Sequence, residues 1–170
     1  PLVIVGLAPG LHGANATGRP FTGDHAGILL YETLHRHGFA SRAQSVAHDD
    51  GLVLFGARIT NAVKCVPPAN KPQPAEIARC NDFLAQELHR APARAVLVAL
   101  GRIAHEAILR ALGLPLRAAA FAHAAEHRLG QRHLIDSYHC SRYNTQTRRL
   151  TPAMFDAVFA RARELLEARP

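Results

Sequence analysis

Apolar and polar positions alternate between two periods along this chain, and the switching predicts elements. Residues 2–6 form a β-branched apolar run ending in Gly6, the pattern of a buried parallel strand, and 7–24 are rich in Gly, Pro, Asn and Thr. A loop of that length in a compact domain is usually functional. Residues 26–37 place Ile28, Leu29, Tyr31 and Leu34 at near-helical spacing, with Gly38 where a C-terminal cap belongs. A second apolar segment at 58–63 runs into 67–74, whose four prolines predict irregular structure until a helix starts near Pro74. Residues 95–100 predict a strand closed by Gly101, 103–112 a helix, and 133–138 the last central strand. Thr151-Pro152 caps a final helix carrying Met154, Phe155, Val158, Phe159 and Leu165.

Alternating strands and helices predict a three-layer α/β/α domain on a mainly parallel sheet. In such sheets ligands bind beyond the carboxyl ends of the strands, so the site is expected from the loops 7–24, 61–74 and 139–149. With 170 residues, 48% hydrophobic and 19% charged, the chain suits one domain with one core and holds no apolar run near the roughly 18 to 20 residues of a membrane span. Charge changes the picture more. A net +7 with 11 histidines points to a polyanionic partner, although a solvated basic surface would read the same. Three cysteines, Cys65, Cys80 and Cys140, show no disulfide spacing, which predicts a reducing, cytoplasmic setting. The chain opens on Pro1 with no basic or cleavable leader, and an N-terminal piece is expected to be missing.

The chemistry gathers in the first loop. Gly6, Ala8, Pro9, Gly10 and the glycines after them let a ligand approach the backbone, Phe21 offers a flat face, and Asp24 places a carboxylate beside a helix start. Each has a plainer alternative, Asp24 as an N-cap and Phe21 as core. The Gly-Lys-Ser/Thr ending of a phosphate-binding loop is absent.

The loop Gly-Leu-Ala-Pro-Gly at 6–10, with His-Gly-Ala-Asn at 12–15, Thr-Gly-Arg at 17–19 and Phe-Thr-Gly-Asp at 21–24, resembles the first motif of family 5 uracil-DNA glycosylases. The resemblance continues through 59–72, 99–104, 137–147 and 149–152, four motifs in order over essentially the whole chain. It implies a superfamily fold with about four sheet strands and one glycosylase-like domain over 1–170. It further implies hydrolysis of the N-glycosidic bond of uracil and other deaminated bases such as hypoxanthine in DNA.

The resemblance also implies roles. Phe21 stacks on an extruded base, Asn61 reads its polar edge, and His139 faces the base oxygen that gains charge. Asp24 supports the cationic sugar. The acidic residues that follow Ala-Pro-Gly in family 4 are here Leu11, His12 and Gly13, so Asn15 or His12 is the alternative group for positioning water. Lys64, Lys71, Ser141, Arg142, Tyr143, Asn144, Arg148 and Arg149 are expected to face DNA. Cys65 and Cys80 match two of four thiolate ligands of a [4Fe-4S] cluster, the other two being expected in an absent N-terminal segment.

No motif lysine suggests lyase chemistry, and the insertion with a reactive histidine found in covalently trapping relatives is missing. A monomer, held on DNA at the nucleoid, is the expected state. Rival readings are a damage-binding module without activity and a nucleoside or nucleotide hydrolase. His12, His35, His37, His48, His89, His105, His123, His127 and His133 show no trusted metal pairing, and polar alternation around 123–127 favours a strand.

Overall fold

In a computed structural model, residues 1–168 are described, apart from the Asn70 side chain. The order is β1 (Leu2–Gly6), α1 (Ala14–Thr17), α2 (His25–Arg36), β2 (Ala57–Asn61), α3 (Pro74–Arg90), β3 (Val96–Leu100), α4 (Arg102–Ala111), β4 (Glu126–Leu129), β5 (Arg132–Ser137), α5 (Arg142–Gln146) and α6 (Pro152–Glu167). The strands form one sheet ordered β2-β1-β3-β5-β4, parallel throughout except for the antiparallel β4–β5 pair.

Five strands replace the expected four. The extra one, β4, is an edge strand of four residues with only Leu129 apolar, too short and polar for an apolar pattern to register, although alternation near 123–127 hinted at it. A single 3-10 turn at Pro68–Asn70 interrupts the stretch expected to be irregular. Short helices α1 and α5 likewise fall inside predicted loops.

The strand alternation divides the core between two faces. Leu2, Ile4, Val96, Val98 and Ile135 pack with Leu30, Tyr31 and Leu34 of α2 and Phe155, Val158 and Phe159 of α6. Val3, Val5, Leu97, Ala99 and Leu134 pack on the opposite face with Leu84 and Leu88 of α3 and Ala107 and Ile108 of α4. All five residues of β1 and of β3 are buried, as expected of strands covered on both faces. Thr151 caps α6 by accepting from the Met154 N–H at 3.2 Å, and Pro152 needs no donor in the first turn.

This architecture places the site. The register sets Gly6 beside Asn61 at the ends of β1 and β2, and Leu100 beside Ser137 at the ends of β3 and β5. The loops after β1, β2 and β5 therefore leave one edge together.

Candidate active site

Phe21 is the first fixed point. Its backbone has φ +58°, its ring is buried, and its carbonyl packs so closely on Gly27 in α2 that a Cβ there would collide with it. A Cβ on Gly6 would stand 2.6 Å from the Phe21 ring and 2.5 Å from Asn61 Oδ1. Glycine is thus required at 6 and 27 because ring, amide and main chain occupy the space. The Tyr31 hydroxyl donates to the Pro20 carbonyl at 2.7 Å. Arg19 ties the loop outward to Asp50 at 2.7 Å and Ser45 at 3.0 Å, and that hydrogen bond with three N–H donors holds the Asp50 carboxyl well below the usual range.

Asp24 serves two neighbourhoods. Its Oδ1 accepts from the Gly27 N–H at 2.9 Å and so caps α2, while Oδ2 points toward Gly13 and Gly10, where added Cβ atoms would lie 2.6 and 3.4 Å away. The cap is thus formed by one oxygen, while the other is left on the side of the cleft.

Asp24, Phe21, Leu7, Ala8, Gly10, His139, Ser141 and Arg142 line a cavity of about 430 Å³. His139 lies with its ring 6.0 Å from that of Phe21 and tilted by 33°. Burial pushes its imidazole down to about 4, so at neutral pH it is an uncharged donor or acceptor. Asn61 lines an adjoining depression with Pro9, Asn15 and Lys64, and its Oδ1 is buried without a hydrogen-bond partner. A buried amide oxygen left unpaired is costly, and a ligand N–H would satisfy it. A larger groove of about 870 Å³ begins at Asp24 and Arg142 and runs along α2 past Ile28 and Val46.

The remaining candidates sort by what already holds them. Ser141 caps α5 by accepting from the Asn144 N–H at 3.3 Å, and the Asn144 amide donates to the His139 carbonyl at 2.8 Å. Tyr143 is 70% exposed at the tip, beside exposed Arg142, while Arg148 adopts φ +58°. The Arg149 guanidinium lies 4.7 Å from the centre of the Tyr138 ring. Lys71 is exposed, whereas Lys64 Nζ is paired with Glu87 at 2.9 Å and Thr60 at 2.7 Å. Asn15 and His12 are both exposed.

The cysteines divide two against one. Cys65 is exposed at the start of the proline-rich loop and follows Lys64, whose N–H donates to the sulfur of buried Cys80 on α3 at 3.3 Å. Cys140 is fully buried in the apolar core, and burial pushes its thiol up to about 12, the reverse of what a ligand needs.

Sequence reasoning missed one constellation. His105 Nδ1 lies 2.7 Å from Asp136 Oδ1, and His127 Nε2 lies 3.0 Å from Asp136 Oδ2. The three come from α4, β4 and β5, and no spacing along the chain announces them.

A strand-end cleft that gathers an aromatic ring, an unpaired buried amide oxygen, a carboxylate and a neutral imidazole offers the groups that a flat polar heterocycle can use. Comparison with known families agrees: the sequence model described as Uracil DNA glycosylase superfamily matches residues 1–163, and the chain belongs to that superfamily. It is 50% identical over 165 residues to the type-5 uracil-DNA glycosylase of Thermus thermophilus, covering 96% of this chain and 75% of that one. With the type-5 uracil-DNA glycosylase of Mycobacterium leprae it shares 45% over 169 residues, covering 96% and 73%. The type-4 uracil-DNA glycosylase of Archaeoglobus fulgidus is more distant, 38% identical over 114 residues, or 66% of this chain and 49% of the relative. Within the superfamily the chain thus sits on the type-5 branch.

Proposed function

We propose that this chain is a monofunctional DNA glycosylase that removes uracil, and other deaminated bases such as hypoxanthine, by hydrolysing the N-glycosidic bond during base excision repair. The observation that carries this reading is the unpaired, buried Asn61 Oδ1 beside the fixed Phe21 ring. The names of the type-5 relatives support it.

In the reaction the target nucleotide leaves the stack, and its base slides over Phe21 with its polar edge at Asn61. Bond fission leaves positive charge on the sugar and negative charge on the base. Asp24 Oδ2 faces the first pole. Neutral His139 faces the second as a hydrogen-bond donor, and its low pKa spares the site a second permanent charge. Asn15, or His12, orients the attacking water from the exposed side of the loop. Gly6, Ala8, Pro9 and Gly10 bring main chain close to the base. No lysine lines the Asp24–His139 cavity, which favours simple hydrolysis over Schiff-base chemistry.

Tyr143, with Arg142, Ser141 and Asn144, enters the duplex or braces the vacated stack, while Lys71, Arg148 and Arg149 follow phosphates. Lys64 joins them by exchanging Glu87 for a phosphate. Cys65 and Cys80 would hold one side of a [4Fe-4S] cluster, which supplies rigidity near DNA, and the Lys64 N–H on the Cys80 sulfur suits a thiolate ligand. Two further thiolates are required, and Cys140 is not one of them. The reading includes a monomer working on cytoplasmic DNA; among the described residues, no helix is long and apolar enough to cross a membrane.

Incubation with a duplex bearing one uracil, then alkali, should yield a strand break at the uracil position. A duplex bound but left intact would favour a damage-binding module. Release of base from free deoxyuridine alone would favour a nucleoside hydrolase.

A further inference from the structure

We infer that residues 119–127 form a strap that positions His139, with His123 as the positioning residue and the His105–Asp136–His127 triad as its anchor. The inference rests on the role given to His139 above and adds the part that holds it.

Every step of the chain leading to His139 is gripped. The Asp136 N–H donates to the Ala125 carbonyl at 2.9 Å, and its carbonyl accepts from the Ala124 N–H at 2.8 Å. The Ser137 carbonyl accepts from the Gly101 N–H at 2.8 Å, and the Tyr138 N–H donates to His123 Nδ1 at 3.1 Å. Past His139, its own carbonyl is held by Asn144. His123 also stacks on the Tyr138 ring, with centroids 5.0 Å apart and 25° between planes, while Arg149 lies over the same ring. Ala124 takes φ +61°, a left-handed turn that an alanine adopts only when its surroundings hold it there.

The triad explains what holds it. His105 is buried between two acceptors, Asp136 Oδ1 and, through Nε2 at 3.1 Å, the Ala119 carbonyl. A neutral ring has one N–H and could satisfy only one of them, so a proton must also occupy the 2.7 Å contact with Asp136. His127 donates to the other carboxylate oxygen. The triad therefore fastens both ends of the strap, Ala119 and His127, to the β5 residue three before His139. A 2.7 Å separation accommodates a shared proton; a metal ion bound to both atoms would hold them farther apart.

At His123 the acceptor must be unprotonated. Burial pushes its imidazole down, against a hydrogen bond with the Met154 main chain, which suits that requirement. Replacement by leucine deletes the acceptor, whereas the Oδ1 of asparagine reaches close to the place of Nδ1.

The test compares His123→Leu, His123→Asn and His139→Ala with the parent. It reads single-turnover cleavage of the uracil duplex, binding to the same duplex carrying a tetrahydrofuran abasic analogue, melting temperature and the Tyr138 amide proton by NMR. His123→Leu should slow cleavage about 10-fold with affinity within about 2-fold, because small misplacements cost rate more than binding. His123→Asn should stay within about 3-fold of the parent and keep the parent Tyr138 amide shift, which His123→Leu loses. Cleavage in His123→Leu equal to the parent, or equal losses in both variants that track melting temperature, would overturn the strap. Normal cleavage by His139→Ala would instead remove His139 from the reaction, and the inference with it. Uptake of one equivalent of Zn²⁺ with loss of the His105 ring N–H signals would show a metal site in place of the proton-held anchor.

Discussion

The two walls of the cleft are built on different principles. The wall from 6 to 27 is steric: glycines stand where ring, amide and carboxylate leave no room for a Cβ, and apart from Asn61 on the neighbouring strand the contacts are local along the chain. The wall around His139 is electrostatic: a buried carboxylate, two histidines and a strap converge from three elements separated by as many as 31 residues. One wall tolerates little change in volume, the other little change in charge or proton count. Each can be broken separately.

The largest expected effect comes from Asp24→Asn in the steric wall. The amide oxygen still caps α2 while the charge disappears, so melting and DNA affinity should stay near normal and single-turnover cleavage should fall by about 10²- to 10³-fold. Early melting with normal cleavage would make Asp24 a cap alone. Next, Asn61→Ala removes an edge contact of about 1 to 3 kcal/mol, lowering cleavage about 5- to 160-fold with nonspecific binding nearly intact. Unchanged turnover would remove Asn61 from the pocket.

The electrostatic wall should reveal itself in pH. His139 is held down to about 4 by burial, below its ordinary 6.5, so its contribution to stability is present above about 6.5 and lost as pH falls toward 4. His105 runs the other way. Burial alone would lower it, but the Asp136 hydrogen bond and charge, with the Ala119 carbonyl and Glu106, leave it above 6.5. Its contribution is full below 6.5 and lost as pH rises through that raised value. Melting followed from pH 4 to 9 should show both arms, and His105→Gln should abolish the alkaline one while sparing the acidic one. A flat alkaline arm in the parent would argue against a proton-held triad.

Much of the steric wall was legible in sequence because its residues lie within one loop and a helix start. Gly6, Phe21 and Asp24 fall in one continuous loop whose resemblance to a family motif singles them out, and the buried strands β1 and β3 show as unbroken apolar runs. The electrostatic wall was not. His105, His127 and Asp136 become neighbours only when β4 pairs with β5 and α4 packs on the sheet, and β4 has four mostly polar residues. Lys64 is a parallel case: its partner Glu87 lies 23 positions away, so a lysine in a basic motif could not be seen to be paired. α5, at five residues, is too short to show a helical period.

The smallest effect concerns the rim of the electrostatic wall. Arg148→Gln should lower the log-log salt slope of DNA binding by roughly 0.9, the loss of one phosphate contact. Arg149→Gln, whose guanidinium already rests on Tyr138, should change the slope less and cleavage more. Equal slope changes would mean that Arg149 leaves Tyr138 when DNA arrives.

Asp24 spends one oxygen on folding, and in the proposed reaction the other on the sugar, so that under this proposal two selections act on a single codon. A lineage that ceased to cut DNA could drift to asparagine, serine or threonine at this position and keep its helix capped, since all three cap well. Drift to alanine or valine would cost the fold as well. The residue found at 24 therefore works as a fossil marker: aspartate in a cutting descendant, another capping residue in one retained only to bind.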